Sequence, residues 1–472
     1  MAKQRGSSLT PLLIFILAIL SDYRYNQNGK RRENREMNSE TKEIIERKEQ
    51  NRINQARRQN ARLYPIYKML SWDLLCFYSI EFLFYTITKQ ITASEVLITS
   101  ALYQIFIILM YIPAVTITDL LGRRKGIIIG NGLIVLFLIC LICLPGIGSV
   151  IVADLIFALG YNIKSIAESN LLYDSVATKG GDGLYSKLEA KGGSLYYLFD
   201  GIASLLAGYL FVINNYLPII ICMLFCSASM LLSFRFKEIY PVEQTREHTN
   251  IWTTFKTYSK DLKQSCRFIL KSRRMKALIL FGSLFTGLIT IVETCRGDLL
   301  TDLGVGPEQF SIIFAVLIFI GGISIRLKER IEKKFKNRSL SIIVLTYIFS
   351  CIGIGMITRW LIGEIVIPLV LLMYALQYIS SSNWYILEAK YSKNFTTPEK
   401  RNKITFTYEF IGAIISSVLA IGGSILLENT NASVTFLLIG LAFLELIILV
   451  LDYMRTRIGL RPGEYKKEDI EF

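Results

Sequence analysis

The stretch from Pro113 to Gly126 reads PAVTITDLLGRRKG, and it separates two long apolar segments of the chain. Four of its residues form a compact cluster: Asp119, Gly122, Arg123 and Arg124. The glycine can adopt a backbone conformation that a side chain would block, and the acid can balance the arginines or cap a helix start. Because an arginine pair does not stay in lipid, the cluster predicts a tight turn on the cytoplasmic side, between two membrane helices.

Apolar blocks like the two that flank this turn recur along the whole chain. Of the 472 residues, 52% are hydrophobic and only 19% are charged, whereas soluble domains carry roughly 25% charged residues. A helix of about 20 apolar residues is long enough to cross a bilayer. Twelve such blocks are present, at 64–88, 94–118, 126–145, 149–175, 193–213, 217–234, 275–299, 309–325, 339–357, 364–387, 404–427 and 433–451. The sequence therefore predicts an all-α polytopic membrane protein.

Basic residues occupy the two termini and every second loop between these blocks. Among the 53 Lys and Arg, the exceptions are Lys89, Lys164, Arg296 and Arg359. Because positive charge stays on the cytoplasmic side, both termini are expected in the cytoplasm of a multi-pass cell-membrane protein. The formal net charge of +15 then reports topology and contact with anionic lipid, and it does not indicate nucleic-acid binding.

Neither a metal site nor catalytic chemistry is expected. The pairs Cys140/Cys143 and Cys222/Cys226 have metal-like spacing, but each lies on a purely apolar segment without a second pair, which favours buried free thiols. The single histidine, His248, falls in a polar loop. The P-loop pattern of ATP-driven pumps is missing from the sequence. We therefore predict no metal, no cofactor and no enzymatic activity.

The order of the blocks divides the chain into five parts. Residues 1–62 form a polar, basic cytoplasmic segment, 63–237 a six-helix bundle, 238–272 a linker, 273–455 a second six-helix bundle, and 456–472 a cytoplasmic tail. Apolar residues recur at helical spacing in the linker, which predicts an amphipathic helix on the membrane surface, with a plain soluble helix as the alternative. Met37 is a candidate natural start, so that residues 1–36 would be dispensable.

The two bundles echo each other in sequence. The fourth block contains Ala158-Leu-Gly-Tyr161 and the tenth contains Ala375-Leu-Gln-Tyr378. In both the fifth and the eleventh block, an acid and a glycine precede a stripe of small residues. Such echoes suggest a duplicated six-helix unit and hence two pseudo-symmetric bundles, as in many transporter folds.

With six plus six helices, a long central loop and the motif around Asp119, the chain resembles the major facilitator superfamily from about residue 63 to 455. The family motif is Gly-x-x-x-Asp-x-x-Gly-Arg-Arg, and Val115 stands here in place of its first glycine. The segment from Glu168 to Ser175, ESNLLYDS, is also similar to bacterial members. The resemblance implies two bundles that rock about a central site, lined mainly by helices 1, 4, 7 and 10.

Ionisable residues within the blocks are the candidate functional residues, because a charge facing lipid costs several kcal/mol. Asp73, Glu81, Lys164, Glu168, Glu293 and Arg296 are candidates for a proton or substrate site, and Asp174, Asp200, Glu388 and Glu409 are candidates for gates. Lys164 and Glu168 are four residues apart, and Glu293 and Arg296 are three apart, so each pair can meet on one helix face. Such pairs either neutralise each other, or one acid carries a proton while a base binds an anionic group or gates that acid. Glu168 is the first choice for the proton carrier.

These features predict a secondary active transporter of a small organic solute, working by alternating access and coupled to protons. Efflux is slightly favoured, although the fifth block lacks the Gly-Pro signature of many drug antiporters of this superfamily. An uptake symporter or facilitator for a sugar or another nutrient is the alternative, and a transporter-like membrane sensor is an alternative of another class. The expected partners are the solute, protons and membrane lipids, with the protein as a monomer.

The predicted topology can be tested by single-cysteine labelling of intact cells. Lys89 and Arg359 should be extracellular, and Lys125 and Lys333 cytoplasmic, because of the distribution of basic residues. In a cysteine-free background, Arg359→Cys should react with an impermeant maleimide, while Lys125→Cys and Lys333→Cys should react only after permeabilisation. Strong labelling of residue 125 or 333 in intact cells would reverse the orientation.

Overall fold

A computed structural model of the protein describes residues 39–176, 181–239, 251–324, 334, 339–394 and 401–457. Met37, residues 1–36, His248 and the final part of the predicted tail lie outside these ranges. The chain divides into one unit up to Arg58 and a second unit from Gln59 onward. The helices that correspond to the predicted membrane segments belong to the second unit. The exception is the part of the first helix up to Arg58, which belongs to the first unit.

Eleven of the twelve predicted segments each correspond to one helix and the first overlaps the end of another, and we number these helices α1 to α12 in the same order. Their bounds are Ser39–Ser71, Ala93–Leu121, Arg123–Cys143, Gly146–Val176, Gly181–Ile213, Leu217–Ser233, Arg273–Asp302, Pro307–Ser324, Ser339–Trp360, Val366–Asn394, Arg401–Asn429 and Ala432–Arg457. A separate linker helix, Ile251–Lys271, lies between α6 and α7. Within the described ranges, ten helices are long and apolar enough to cross a membrane, and α6 is shorter at 17 residues. The predicted all-α polytopic fold is confirmed.

The first predicted segment, 64–88, is not one continuous helix. Helix α1 ends at Ser71, and residues 72–80 are not helical. A short helix, Glu81–Leu83, then leads into a single π-helical stretch, Phe84–Thr88. The prediction of an unbroken span is therefore wrong at this position.

One partner on another helix and one carboxylate within the segment account for the break. The Lys164 ammonium on α4 donates a hydrogen bond to the carbonyl oxygen of Ser71, the last residue of α1. The Asp73 carboxylate accepts from the Leu74 amide at 3.0 Å and from the Tyr78 hydroxyl at 2.7 Å. Non-helical backbone at membrane depth is tolerated only where protein or a polar cavity satisfies it. Here an ammonium and a carboxylate take the place of part of the helical hydrogen bonding.

Three helix pairings of the first half recur in the second half. In the first half α4 packs on α2 and α3, and α3 also packs on α6. In the second half α10 packs on α8 and α9, and α9 also packs on α12. Each pairing thus recurs with every helix number raised by six. This repetition is the pseudo-symmetry that the sequence echoes suggested.

The halves meet along two seams, α2 against α11 and α5 against α8. The first seam is held by neutral hydrogen bonds: the Ser94 hydroxyl donates to the Ser424 carbonyl at 3.1 Å, and the Ser417 hydroxyl to the Ala101 carbonyl at 3.0 Å. Ser94 is close to the start of α2, where Lys89 also lies. We call this end of the bundle the Lys89 end and the opposite end, with the turn at Gly122, the Arg123 end.

The second seam is closest at Gly208 on α5. A Cβ atom built on Gly208 would lie 2.3 Å from the Pro307 carbonyl oxygen and 2.3 Å from the Ser311 hydroxyl oxygen. The Pro307 carbonyl is backbone and cannot rotate away as a side chain would. Only glycine therefore permits this approach of α5 to α8, as small residues do at many membrane-helix interfaces.

Gly208→Ala should weaken the packing of α5 against α8 near the Lys89 end, because the added methyl group forces the two helices apart. The matched control is Gly201→Ala on the same helix, where nothing lies within 4 Å of the new Cβ. Overpacking of this kind costs about 1–3 kcal/mol. We expect the detergent-purified Gly208→Ala protein to melt several degrees lower than Gly201→Ala. Equal melting temperatures would show that the seam is not tightly packed.

Candidate functional site

A cavity of about 490 Å³ lies between the two halves, within the range of roughly 300–1,000 Å³ usual for small-molecule sites. The first half contributes the segment after α1 together with α2 to α5, and the second half contributes α7, α8 and α10. Its polar and charged lining includes Tyr78, Glu81, Tyr85, Tyr103, Gln104, Asp154, Asp200, Thr290, Glu293, Arg296 and Tyr378. The lining therefore combines carboxylates, phenols and one guanidinium in otherwise aromatic surroundings.

The cavity carboxylates come mostly from the first half. Glu81, Asp154 and Asp200 belong to that half, and Glu293 lies on α7 in the second. Asp154 is only 8% exposed. Glu293 is exposed although its neighbours Ile291 and Val292 are buried, so its side chain opens into the cavity.

Asp154 was not among the residues predicted for the site, although the signal was present in the sequence. It is an acid inside the predicted segment 149–175, and the cost of a charge in lipid applies to it as it does to Glu168. The aromatic and amide lining, such as Tyr103 and Gln104, carried no comparable signal. Tyrosines and glutamines on membrane helices face many different surroundings.

Arg296 is the one guanidinium among the described residues that line the cavity. It is 3% exposed, and its terminal nitrogen donates a hydrogen bond to the Gln377 side-chain oxygen at 3.2 Å. The guanidinium lies 4.6 Å from the ring centre of Tyr378 and 5.2 Å from that of Tyr374. Desolvated contacts of this kind stabilise a cation over an aromatic face. Side chains of α10 therefore hold the Arg296 guanidinium of α7 in place.

Glu293 and Arg296 do not form the ion pair that their spacing allows. Among the described residues, the guanidinium has no carboxylate within 4.0 Å. Its Nε atom is buried without a hydrogen-bond partner. The two opposite charges therefore line the same cavity separately.

A second charged cluster surrounds the end of α1. The Lys68 ammonium forms a buried ion pair with Glu168 on α4 and lies 3.7 Å from Glu189 on α5. The ammonium also lies 4.6 Å from the Trp72 ring centre, and the Tyr64 hydroxyl donates to Glu189 at 2.6 Å. The cluster connects α1, α4 and α5. Removing one partner of a buried pair costs about 3–5 kcal/mol, because the other charge is left without compensation.

The ion-pair partner of Glu168 is therefore Lys68, whereas the sequence spacing suggested Lys164. Lys164 instead donates to the Ser71 carbonyl at the carboxyl end of α1, where a cation is favoured by the helix dipole. The predicted proton and substrate candidates thus separate into two groups. Glu81, Glu293 and Arg296 line the cavity, while Asp73, Lys164 and Glu168 lie around the end of α1.

The turn quoted at the outset lies between α2 and α3 and contacts the end of α4 and the residue after α6. Gly122 has a φ of 86°, the left-handed region that glycine enters without strain. The Glu238 carboxylate accepts hydrogen bonds from the Arg123 and Arg124 amides at 3.1 and 2.8 Å, so it caps the start of α3. The Arg123 side chain lies 3.0 Å from Asp174 at the end of α4. The Arg124 side chain donates to the Phe234 carbonyl, just beyond α6, at 2.8 Å.

Glu238 is thus a cap at the start of α3. Glu238 is the first residue of the predicted linker, and sequence reasoning did not connect it with the turn. Of the gate candidates, Asp174 pairs with Arg123, Asp200 lines the cavity and Glu409 is exposed on α11. The side chain of Glu388 lies outside the part of the chain that the structure describes.

Apolar helices in two related halves, with a polar cavity between them, are the architecture of a membrane transporter. A sequence model of the Major Facilitator Superfamily matches residues 69–420. The chain therefore belongs to this superfamily and is a membrane transporter of that type. The resemblance drawn from the turn around Asp119 is confirmed, and with it the major facilitator fold.

Similar proteins agree with this assignment. An uncharacterized MFS-type transporter of Bacillus subtilis (strain 168), YxaM, is 22% identical over 275 residues, which cover 57% of this chain and 65% of the relative. The match thus spans less than two thirds of the relative's length. The crystal structure of the nucleoside transporter NupG aligns with a TM-score of 0.64 at 12% identity, over 85% of this chain and 99% of that one. A POT family transporter in complex with 5-aminolevulinic acid aligns with a TM-score of 0.60 at 14% identity, over 85% and 95%. At these identities the two structures indicate the fold alone.

The turn should affect conformational balance and not substrate contact, because its side chains bind helix ends and not the cavity. We expect Asp119→Asn and Arg123→Ala to impair transport while ligand affinity in one state stays largely intact. The double variant Arg123→Asp/Asp174→Arg should recover part of the transport activity that is lost in either single variant. Lys125→Ala, an exposed neighbour, is the control. Pulsed electron paramagnetic resonance between spin labels in the two halves measures the state populations, and unchanged populations with equal losses of binding and transport would contradict this role.

Proposed function

We propose that this protein is a secondary active transporter that moves a small polar organic solute across the cell membrane by alternating access, coupled to protons. The observation that carries the proposal is the cavity of about 490 Å³ whose lining comes from both halves. A solute in this cavity would contact both halves at once. A relative movement of the halves would then expose it to one side of the membrane or the other.

The seams between the halves support a movement of this kind. Near the Lys89 end, Ser94 and Ser424 meet through hydroxyl and carbonyl groups, and further along Gln104 donates to the Thr290 hydroxyl at 3.1 Å. Neutral hydrogen bonds contribute about 1 kcal/mol each. With the termini in the cytoplasm, as the basic residues predict, the Lys89 end is extracellular. The state described here then has its seams closed on the extracellular side.

Carboxylates are the groups proposed to carry the proton. The single histidine of the sequence, His248, falls outside every predicted membrane segment, so Asp or Glu must titrate. Glu168 remains the first candidate, followed by Asp73 and Glu81. A proton on Glu168 would remove the negative partner of Lys68, whose next acid, Glu189, is 3.7 Å away. Protonation would in this way loosen the connection between α1 and α4.

The direction of transport is proposed as efflux, slightly favoured over uptake. An uptake symporter or facilitator for a nutrient is the alternative. The nucleoside and peptide transporters among the structurally similar proteins make polar metabolites reasonable first solutes to test. We propose a monomer that contacts anionic lipid. A transporter-like sensor is the alternative of another class, since it would bind a solute without moving it.

Reconstitution into proteoliposomes tests the proposal. A thermal-shift screen on purified protein first identifies stabilising solutes, and counterflow of the labelled solute then measures exchange without a gradient. An imposed pH gradient should drive accumulation above the counterflow level if protons are coupled. A stabilising solute that is never exchanged would favour the sensor.

Glu168→Gln should abolish gradient-driven transport and leave counterflow measurable. A membrane potential supplies about 2.3 kcal/mol per charge per 100 mV, and a group that cannot titrate cannot couple solute movement to it. Glu445→Gln is the matched control, since Glu445 is an exposed acid on α12 that does not line the cavity.

Full gradient-driven transport in Glu168→Gln would remove Glu168 from the mechanism. The same result in Asp73→Asn and Glu81→Gln would favour a facilitator without proton coupling. If Glu168→Gln alone does not fold, the double variant Lys68→Gln/Glu168→Gln removes the buried unpaired ammonium. Its counterflow then serves as the reference.

A further inference from the structure

We infer that the solute is a small zwitterion whose carboxylate binds Arg296 and whose amine binds among Glu81, Asp154 and Asp200. This inference rests on the proposed function and names the class of solute that the cavity accepts. It is drawn from the charges on the two walls of the cavity and from the state of the Arg296 side chain.

The Arg296 guanidinium is placed and oriented for an anion. It is 97% buried, since its exposed fraction is 3%, and it lines the cavity. Gln377 accepts one hydrogen bond from it at 3.2 Å, and the Tyr378 ring lies against it at 4.6 Å. Neither partner neutralises its charge. A buried cation without a counter-ion is costly, and a bidentate carboxylate offers the planar geometry that matches a guanidinium.

The Nε atom of Arg296 gives a second, independent indication. It is buried and has no hydrogen-bond partner, although buried polar groups nearly always have one. A carboxylate can bind Nε and a terminal nitrogen of guanidinium at the same time. The one terminal bond to Gln377 leaves other donors of the group available for this contact.

The opposite wall of the cavity has the opposite charge. Glu81, Asp154 and Asp200 lie in the first half, and the ion pairs of the described residues leave all three without a basic partner within 4.0 Å. A cationic group on the solute would offset this excess of negative charge. An anion without an amine would leave it uncompensated, and an amine without an anion would leave Arg296 uncompensated.

A zwitterion would also link the two halves. Its carboxylate would contact α7 in the second half and its amine the carboxylates of the first half. Such a solute stabilises states in which both walls are close, because its two charged groups bind different halves. The same charges would therefore select the solute and couple its binding to the movement of the halves.

Matched triplets of ligands test the inference. Each triplet contains a zwitterion, its N-acetyl derivative and its carboxamide, built on glycine, γ-aminobutyrate, δ-aminovalerate and a small dipeptide. Thermal shift and isothermal titration calorimetry are measured on the full chain in detergent at up to millimolar ligand. We expect at least one zwitterion to bind about tenfold to hundredfold more tightly than both of its blocked forms, as is usual for the loss of a charge-assisted hydrogen bond.

Variants of the anion site make the test specific. Arg296→Gln should lower the affinity for the zwitterion to that of its carboxamide and change carboxamide binding by less than about threefold. Gln377→Glu should act in the same way without removing the arginine, because it places a carboxylate beside the guanidinium. Arg359→Gln is the control, the same change at an exposed arginine at the end of α9.

The outcomes separate this inference from the proposed function. If every zwitterion fails to bind at millimolar concentration, or if blocked forms bind equally well, the inference is overturned. If an uncharged or singly charged solute binds and is exchanged by proteoliposomes, the inference is overturned and the transporter stands. If a zwitterion binds through Arg296 but is never exchanged, the site stands and the proposal of transport is overturned. Unchanged zwitterion affinity in both Arg296→Gln and Gln377→Glu also overturns the inference.

Discussion

Lipid cannot satisfy a charge or a backbone hydrogen-bonding group, and the arrangement of this protein depends on that constraint. Three cations inside the predicted segments each have an internal contact. Lys164 binds the Ser71 carbonyl, Lys68 pairs with Glu168, and Arg296 binds Gln377 and two tyrosine rings. These contacts join α1 to α4 in the first half and α7 to α10 in the second half. The central cavity lies between the two halves.

The interruption of α1 follows from the same constraint. A helix that continued past Ser71 would use the Ser71 carbonyl for its own hydrogen bonding, and Lys164 would lose its acceptor in a buried position. With the break, the ammonium gains an acceptor, and Asp73 accepts from Leu74 and Tyr78. The segment after the break then brings Glu81 and Tyr85 to the cavity wall. The charged residues of α4 therefore shape the part of the chain that lines the site.

The sequence predicted those features that depend on local composition. Apolar length located the helices, and the glycine and arginines at 122–124 located the turn with its positive φ. The break in 64–88 could not be predicted, because no glycine lies in that segment and the partner of Ser71 is 93 positions away. Helical spacing suggested Lys164 as the partner of Glu168, but Lys68, 100 positions away, takes that place. Asp154 could have been predicted from the cost of placing a charge in lipid. The cap from Glu238 could not, because it depends on how the chain after α6 packs against the turn.

The chemistry of the seams differs from that of the two halves. Ion pairs whose partners are both described, Lys68 with Glu168 and Glu189 and Arg123 with Asp174, all lie within the first half. Among the described residues, the hydrogen bonds between the halves join neutral groups, such as Ser417 with Ala101 at the first seam and Gln104 on α2 with Thr290 on α7. Breaking a buried ion pair costs about 3–5 kcal/mol, while a neutral hydrogen bond contributes about 1 kcal/mol. The first half can therefore stay rigid while the halves separate at modest cost, which is the condition for two states within a few kcal/mol of each other. The charges that do face each other across the cavity are those left without ionic partners, so a bound solute, more than the protein's own contacts, would determine how strongly the two walls attract.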